Sequence, residues 1–227
     1  MFLRCTDVPA ELEGVTTKTP YHKRSWTNFE SRVAAIKPED NTIHLGPLTG
    51  TLEQAPLSPP AFQRLQEEKR PEERTDDNRE GFVVRFTNGK EDRPLVANLY
   101  RAFVLDTQVR RQKEIDMNNK YKIDTKEKGK MLREYFAWMG EQPVCQVEEV
   151  VLRDCHLNDD SLPPIAAGLG ALSSLWKLEL VGNKFGLSSL SALTCLCQLK
   201  TLQLTVDDES HDPIAVHLKG SAELKDL

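Results

Sequence analysis

Hydrophobic residues in the last third of the chain recur at a fixed spacing. Leu175, Leu178, Leu180, Asn183 and Phe185 follow the order L-x-x-L-x-L-x-x-N-x-L, with Phe in the final place. Val147, Val150, Leu152, Cys155 and Leu157 repeat it with Cys where Asn stood, and Leu199, Leu202 and Leu204 repeat its first half. The central leucines, Leu152, Leu180 and Leu204, stand 28 and 24 residues apart. Between the first two copies, Leu162, Ile165, Ala166, Leu169 and Leu172 fall at helical spacing, and Pro163-Pro164 suits a first turn, where a missing N–H costs nothing. The second link, through Leu190, Leu193 and Leu196, is shorter and fits a helix or a 3₁₀ segment.

Upstream the pattern changes. In residues 81–140, Phe82, Val84 and Phe86 alternate with Val83 and Arg85 as in a half-buried strand, and Asn88-Gly89 supplies a turn. Asp92 and Pro94 suit a helix start, followed by an apolar stripe of Leu95, Val96, Leu99, Tyr100 and Phe103 that fades after Val109. A second helix is expected from Asp124, with Glu127 completing a capping pattern. It places Met131, Leu132, Tyr135, Phe136 and Met139 on one face and ends at Gly140. Residues 1–80 hold prolines at 9, 20, 38, 47, 56, 59, 60 and 71, each disfavouring helix in the residue before it. Trp26, Phe29, Val33 and Ile36 fit a short helix broken at Pro38. Residues 64–79 are densely charged, with little apolar surface to offset the entropy of ordering.

The expected fold class is α/β: a short leucine-rich-repeat solenoid of about three repeats, a period of about 20–29 residues being its mark. A helical segment caps it, with Met131–Met139 as the candidate, and a long extended N-terminal tail precedes it. The corresponding domains are 1–80, an extended, proline-rich, charged tail; 81–140, a short strand plus two helices forming the N-terminal cap; and 141–227, the repeats. In such an array the strand leucines point inward and stack into one core. The Asn or Cys at the ninth place turns the chain while its side chain helps satisfy inward backbone groups. The residues between the leucines face the concave side: Glu149, Val151 and Arg153; Lys177, Glu179 and Val181; Thr201, Gln203 and Thr205. Trp176 stands at their rim, either as an interface anchor or as a cover for the neighbouring repeat's edge.

Charge sharpens this reading. The net charge is −5, and residues 141–227 alone carry 6 Lys/Arg against 13 Asp/Glu. That balance disfavours nucleic acid, whose binding depends on cations at phosphates. Residues 93–139 run the other way, with 11 basic and 6 acidic residues, and read as a solvated helix face. No stretch approaches the roughly 18 apolar residues of a membrane span. The first twenty residues contain Asp7, Glu11 and Glu13 and no apolar run, so no secretory signal is expected. Cys5, Cys145, Cys155, Cys195 and Cys197 are therefore expected to be reduced, buried core thiols, because Cys195-x-Cys197 lacks the spacing of a zinc or redox motif.

Catalytic patterns are wanting. Gly168-x-Gly170 lacks the further Gly and the Lys of a phosphate loop. Cys155-His156 should point to opposite faces, Cys in and His out. His211 and Asp212 fall in a polar loop that also holds Asp207-Asp208-Glu209. The chain is expected to be no enzyme and to hold no cofactor or metal.

Val147-Glu148, Leu152, Cys155-His156 and Asp159-Asp160-x-Leu162 resemble the first repeat of the small mitochondrial leucine-rich-repeat proteins related to ATP synthase subunit s (coupling factor B) and to the distal-membrane-arm assembly component of complex I. Lys120-Tyr121-Lys122-Ile123 is similar to a run that precedes that repeat in the family. The resemblance covers about 100 residues, 120 to 204. It implies a non-catalytic accessory or assembly subunit on the matrix side of the inner membrane, binding protein subunits of a large respiratory or ATP synthase complex and peripheral to the membrane at most. Any thiol sensitivity carried over would fall on Cys155. The alternative is a cytosolic or cytoskeletal repeat scaffold, such as a ciliary one, which the poor presequence Met1-Phe-Leu-Arg4 favours.

Overall fold

The computed structural model describes residues 2–5, 23–36, 42–45, 55–76, 78–86, 89–205 and 214–217; at 2–5, 42–45 and 214–217 it describes the backbone path alone. The chain divides into two units, residues 1–51 with 59–103 and residues 52–58 with 104–227.

In the first unit, β1 (Phe2–Cys5) pairs in parallel with β2 (Thr42–Leu45). Between them lies α1 (Ser25–Ile36), the helix expected from Trp26, Phe29, Val33 and Ile36; Trp26 and Phe29 meet edge to face at 6.2 Å. The stretch after residue 55 departs from the extended tail that its composition suggests. Here α2 (Pro59–Glu67) forms with Pro59-Pro60 in its first turn, and a 3₁₀ turn follows at Pro71–Glu73. One aromatic residue accounts for the difference. Phe62 is fully buried and stacks on Tyr100 at 4.1 Å, so a long-range contact supplies apolar area that local composition lacks. The loop after α2 is fastened by Asn78, whose amide donates to the Glu73 and Phe82 carbonyls, both at 2.9 Å, while its oxygen accepts from the Phe82 N–H.

The expected strand at Phe82–Phe86 does not form. Phe82 bridges antiparallel to Lys69 and Arg85 bridges parallel to Arg24, so no single partner offers a ladder. The Arg93 guanidinium covers the Phe82 ring at 3.5 Å and the Phe86 ring at 5.1 Å instead. Helix α3 (Gly89–Val104) starts ahead of Asp92 and holds Pro94 inside it, at the cost of an intrahelical bond. Its buried stripe is Val96, Tyr100 and Val104, flanked by Ala97. Leu95 and Leu99, expected in that stripe, are 49% and 41% exposed.

The second unit contains a π-helical turn (Leu105–Arg110) and then five strands: β3 (Glu114–Asp116), β4 (Glu149–Val151), β5 (Lys177–Leu180), β6 (Thr201–Leu204) and β7 (Ile214–His217). They lie side by side in chain order; β3 to β6 are parallel and β7 is antiparallel to β6. The molecule is thus a mixed α/β fold with a four-stranded parallel run. In register, Ile115, Val150, Leu178 and Leu202 form one inward line. Those residues, with Met117, Leu152, Leu180 and Leu204, are all at most 3% exposed.

The helical links form a second row. Helix α4 (Lys126–Gly140) connects β3 to β4 and α5 (Leu162–Leu169) connects β4 to β5; a 3₁₀ segment (Leu187–Cys195) fills the shorter third link. Four fewer residues between Leu180 and Leu204 than between Leu152 and Leu180 leave less chain for an α-helix. The helix expected to be a cap is therefore one of the connections, and a strand precedes it that the leucine spacing did not register. Its start is one residue later than expected, since the Thr125 hydroxyl, not Asp124, accepts the Lys128 N–H. Helices α4 and α5 approach to backbone contact through glycines. A Cβ on Gly129 would lie 2.6 Å from the Ser161 carbonyl oxygen, and one on Gly168 would lie 2.6 Å from that of Arg133. Gly168 is thus a packing residue. Ser58, from the segment that joins this unit early, donates its hydroxyl to Glu134 of α4 at 2.7 Å. Among the described residues, no helix is long and apolar enough to cross a membrane.

Candidate interaction face

Strands β3, β4 and β5 end in the same backbone turn. Three residues past the paired Asp116, Val151 and Glu179 stand Asn119, Asp154 and Gly182, with φ of 51°, 51° and 75°. Asn, Asp and Gly are the residues that visit the left-handed region most readily. Their N–H groups continue the ladder: Asn119 donates to the Arg153 carbonyl at 2.9 Å and Asp154 to the Val181 carbonyl at 3.0 Å. In the third copy the Thr205 hydroxyl takes over as acceptor for Gly182, at 2.7 Å. A side chain on Gly182 would collide with the Asp154 carboxylate.

Beyond each turn sits the ninth-place residue. The Asn183 carbonyl oxygen accepts from the N–H groups of Cys155 at 3.1 Å and Leu157 at 3.0 Å. Its amide donates to the carbonyls of Leu152 at 2.7 Å and Leu180 at 2.8 Å. Cys155 repeats this one copy earlier. Its thiol donates to the Met117 carbonyl at 3.1 Å, as the Asn183 amide does to the equivalent Leu152 carbonyl. The expected role of the ninth place is realised in both. Burial pushes the Cys155 thiol up to about 12, and the side chain is fully enclosed. His156 is half-buried with φ of 58°.

The opposite side of the sheet carries the residues between the leucines. Register places Glu114, Glu149, Lys177 and Thr201 on one rung and Asp116, Val151, Glu179 and Gln203 on the next. Lys177 binds Glu149 and Glu179, both at 2.9 Å, and Arg153 pairs with Glu179 from one strand over. Burial pushes the Glu179 carboxyl up, yet hydrogen bonds from Lys177 and Arg153 outweigh it and hold the group below its ordinary value. Glu149 and then Glu179 raise Lys177 in turn. Glu179 is only 5% exposed, and Val151 and Thr205 are buried as well. These three, expected on the concave side as binding residues, are enclosed within the face. Arg153, Trp176, Lys177, Val181, Thr201, Gln203 and Glu149 remain half-exposed.

Trp176 sits at the rim with its indole bonded to Glu148, a carboxylate that Lys113 holds below its ordinary value at 2.7 Å. Its backbone joins three strands: the N–H donates to the Glu148 carbonyl at 2.9 Å, and its own carbonyl accepts from Lys200 and Thr201. Spacing of leucines missed Glu114 and Asp116, which are exposed at the β3 edge. A signal for them was present: Ile115 and Met117 alternate with them just ahead of Lys120-Tyr121-Lys122-Ile123, whose Tyr121 and Ile123 are buried. The face therefore carries four carboxylates, at 114, 116, 149 and 179, against two cations, Arg153 and Lys177.

Of the thiols expected in the core, Cys155 is buried and Cys145 is half-buried, whereas Cys195 and Cys197 are exposed. The 3₁₀ segment turns Leu193 and Leu196 inward and leaves the cysteines outside. No group of three or more His, Cys, Asp or Glu residues suited to a metal ion occurs among the described residues. His211, Asp212 and the 207–209 acidic run lie outside the described residues. No family model, no curated protein and no solved structure matches this chain.

Proposed function

We propose that residues 114–204 form a short leucine-rich-repeat solenoid and that the protein is a non-catalytic accessory or assembly subunit of a large mitochondrial inner-membrane complex, of the respiratory chain or ATP synthase. The observation that carries the repeat reading is the equivalence of Asn183 and Cys155. Each buried side chain donates to the carbonyl of the equivalent inward residue of the preceding copy, Asn183 to Leu152 and Cys155 to Met117. The binding reading rests on the strand face, where fixed charges and a rim Trp are presented by rigid backbone. Such a surface selects a partner by complementarity. The complex itself is inferred from the resemblance of residues 120–204 to the subunit s family.

The test uses the full-length chain, tagged, in cells of its own species. Expected is co-migration with an inner-membrane complex on native gels, weakened by Gln203→Arg and Trp176→Ala, the latter by about 2 kcal/mol or more if it is an anchor. Glu179→Lys is the wrong probe, since it sets a third cation between Arg153 and Lys177 and would disturb the fold. Fractionation with the cytoskeleton would overturn the mitochondrial reading in favour of a scaffold. Undiminished co-migration of both variants would remove binding from this face.

A further inference from the structure

The 3₁₀ segment Leu187–Cys195 ends in a three-residue turn with unused chemistry on it. The Cys197 N–H donates to the Cys195 carbonyl at 3.0 Å across Leu196, which has φ −85° and ψ 64°. These angles are those of an inverse γ-turn. Leu196 is fully buried and fixes the turn in the core. Its two neighbours consequently project outward, and both cysteines are exposed. The Cys195 thiol donates to the Ala192 carbonyl at 3.2 Å, and the Cys197 thiol reaches back to the Cys195 carbonyl at 3.5 Å. Burial raises the Cys195 pKa, and the neighbouring Cys197 adds to that rise, so the two sulfurs lie within each other's field.

We propose that Cys195 and Cys197 form a redox-modifiable dithiol, which closes to an intramolecular disulfide by exchange with a small-molecule disulfide of the glutathione type. Disulfide geometry asks for a Cα separation of about 4.4–6.8 Å, and the hydrogen-bonded turn folds the residue pair toward that range before any oxidant arrives. Side-chain rotation completes the approach, and Leu196 keeps its seat. The Cys195 S–H is held by the Ala192 carbonyl at 3.2 Å, more closely than the Cys197 S–H is held by the Cys195 carbonyl at 3.5 Å, which makes Cys197 the first nucleophile. Its thiol gives its proton to solvent, and the thiolate attacks one sulfur of the small disulfide. That S–S bond breaks, one thiolate leaves and is protonated, and a mixed disulfide remains on Cys197. Cys195 then loses its proton and attacks the Cys197 sulfur, expelling the second small thiolate. Two protein thiols and one small disulfide become one protein disulfide and two small thiols. The chain gives up two electrons and the small disulfide takes them. With the Cys195 pKa raised, ring closure accelerates as pH rises toward it.

The test equilibrates the full-length protein in mixtures of reduced and oxidised glutathione, quenches with acid and alkylates the free thiols. Trypsin cuts after Lys184 and Lys200 and leaves both cysteines in one peptide. Expected is a form of that peptide lighter by two hydrogen atoms that takes up no alkylating reagent and disappears under reducing mixtures. Cys195→Ser should instead accumulate a glutathione adduct on Cys197. The proposal is overturned if the wild-type peptide stays reduced in every mixture, if it carries glutathione adducts without the closed form, or if either sulfur links to Cys145 or to a second chain. The wild-type measurement decides alone, so an ill-folded variant leaves the answer intact.

Discussion

Residues 114–205 and residues 59–100 both bury large apolar side chains, but they distribute them differently. In the first region the same positions are used repeatedly, and Ile115, Val150, Leu178 and Leu202 are neighbours in a single line. In the second, the interior hangs on unlike pairs, among them Phe62 on Tyr100 and Arg93 over Phe82. Repetition makes each copy's stability depend on its neighbours, as in a one-dimensional array. Pairing makes a region depend on a few contacts far apart in sequence. The two should fail in different ways.

The largest effect is expected where burial is least shared. Phe62→Ala removes a fully buried ring and should cost about 3–5 kcal/mol. Hydrogen exchange would report it as lost protection across Pro59–Glu67 and around Tyr100. Retained protection there would mean that α2 is held by something other than the stacked pair. Leu180→Ala should cost about 2–5 kcal/mol through the cavity it leaves between strands. Here the loss should spread to β4 and β6 together, because Leu180 lies between Leu152 and Leu204. A melting temperature moved by less than a few degrees would refute this register.

Legibility follows the same division. The array could be read from Leu152, Leu180 and Leu204 because each copy restates the spacing, so that one copy corroborates the next. The β3 copy escaped because Met117 and Lys120 stand where leucine and Asn or Cys were sought, and its strand-to-strand offset is longer. In residues 55–86 nothing repeats. Pro59-Pro60 reads as a helix breaker until a helix start is seen, and only the distant Tyr100 explains why Phe62 orders a segment so rich in charge. The sheet face was legible by residue number but not by exposure. Alternation placed Glu179 outward, and only the cations at 153 and 177 show why that carboxylate lies enclosed.

Within the array, Asn183 and Cys155 offer a finer test of repetition, two residue types at one structural place. Asn183→Ala strands the N–H groups of Cys155 and Leu157 and should cost roughly 2–4 kcal/mol in total, an orphaned buried donor being worth about 1–3. Cys155→Ala should cost less, since a thiol is a weak donor and acceptor. The comparison is made by urea unfolding. Equal losses would mean that the side-chain hydrogen bonds contribute little and that backbone geometry alone holds the turns.

The smallest expected effect lies at the entrance to α4, where the second unit relies on a local ion pair rather than on stacking. The hydrogen bond from Lys128, at 2.6 Å, is the chief reason that the Asp124 carboxyl falls to about 2, with Lys122 assisting at 3.2 Å. Because the folded-state value is depressed, the pair stabilises fully above the unfolded value near 3.8 and is lost as pH falls from there toward 2. The carboxylate is partly exposed, so its contribution should stay within the about 1 kcal/mol typical of surface pairs. Asp124→Asn should leave the melting temperature at neutral pH lowered by a small amount and should flatten its decline between about pH 4 and pH 2. Glu148, Asp159 and Glu179 are depressed as well and keep part of the acid slope, so the variant is compared with wild type and not with a flat line. Added salt should shrink the difference between the two proteins, because exposed charges are screened. If the acid decline were identical in both, the helix start would be held by the Thr125 cap alone.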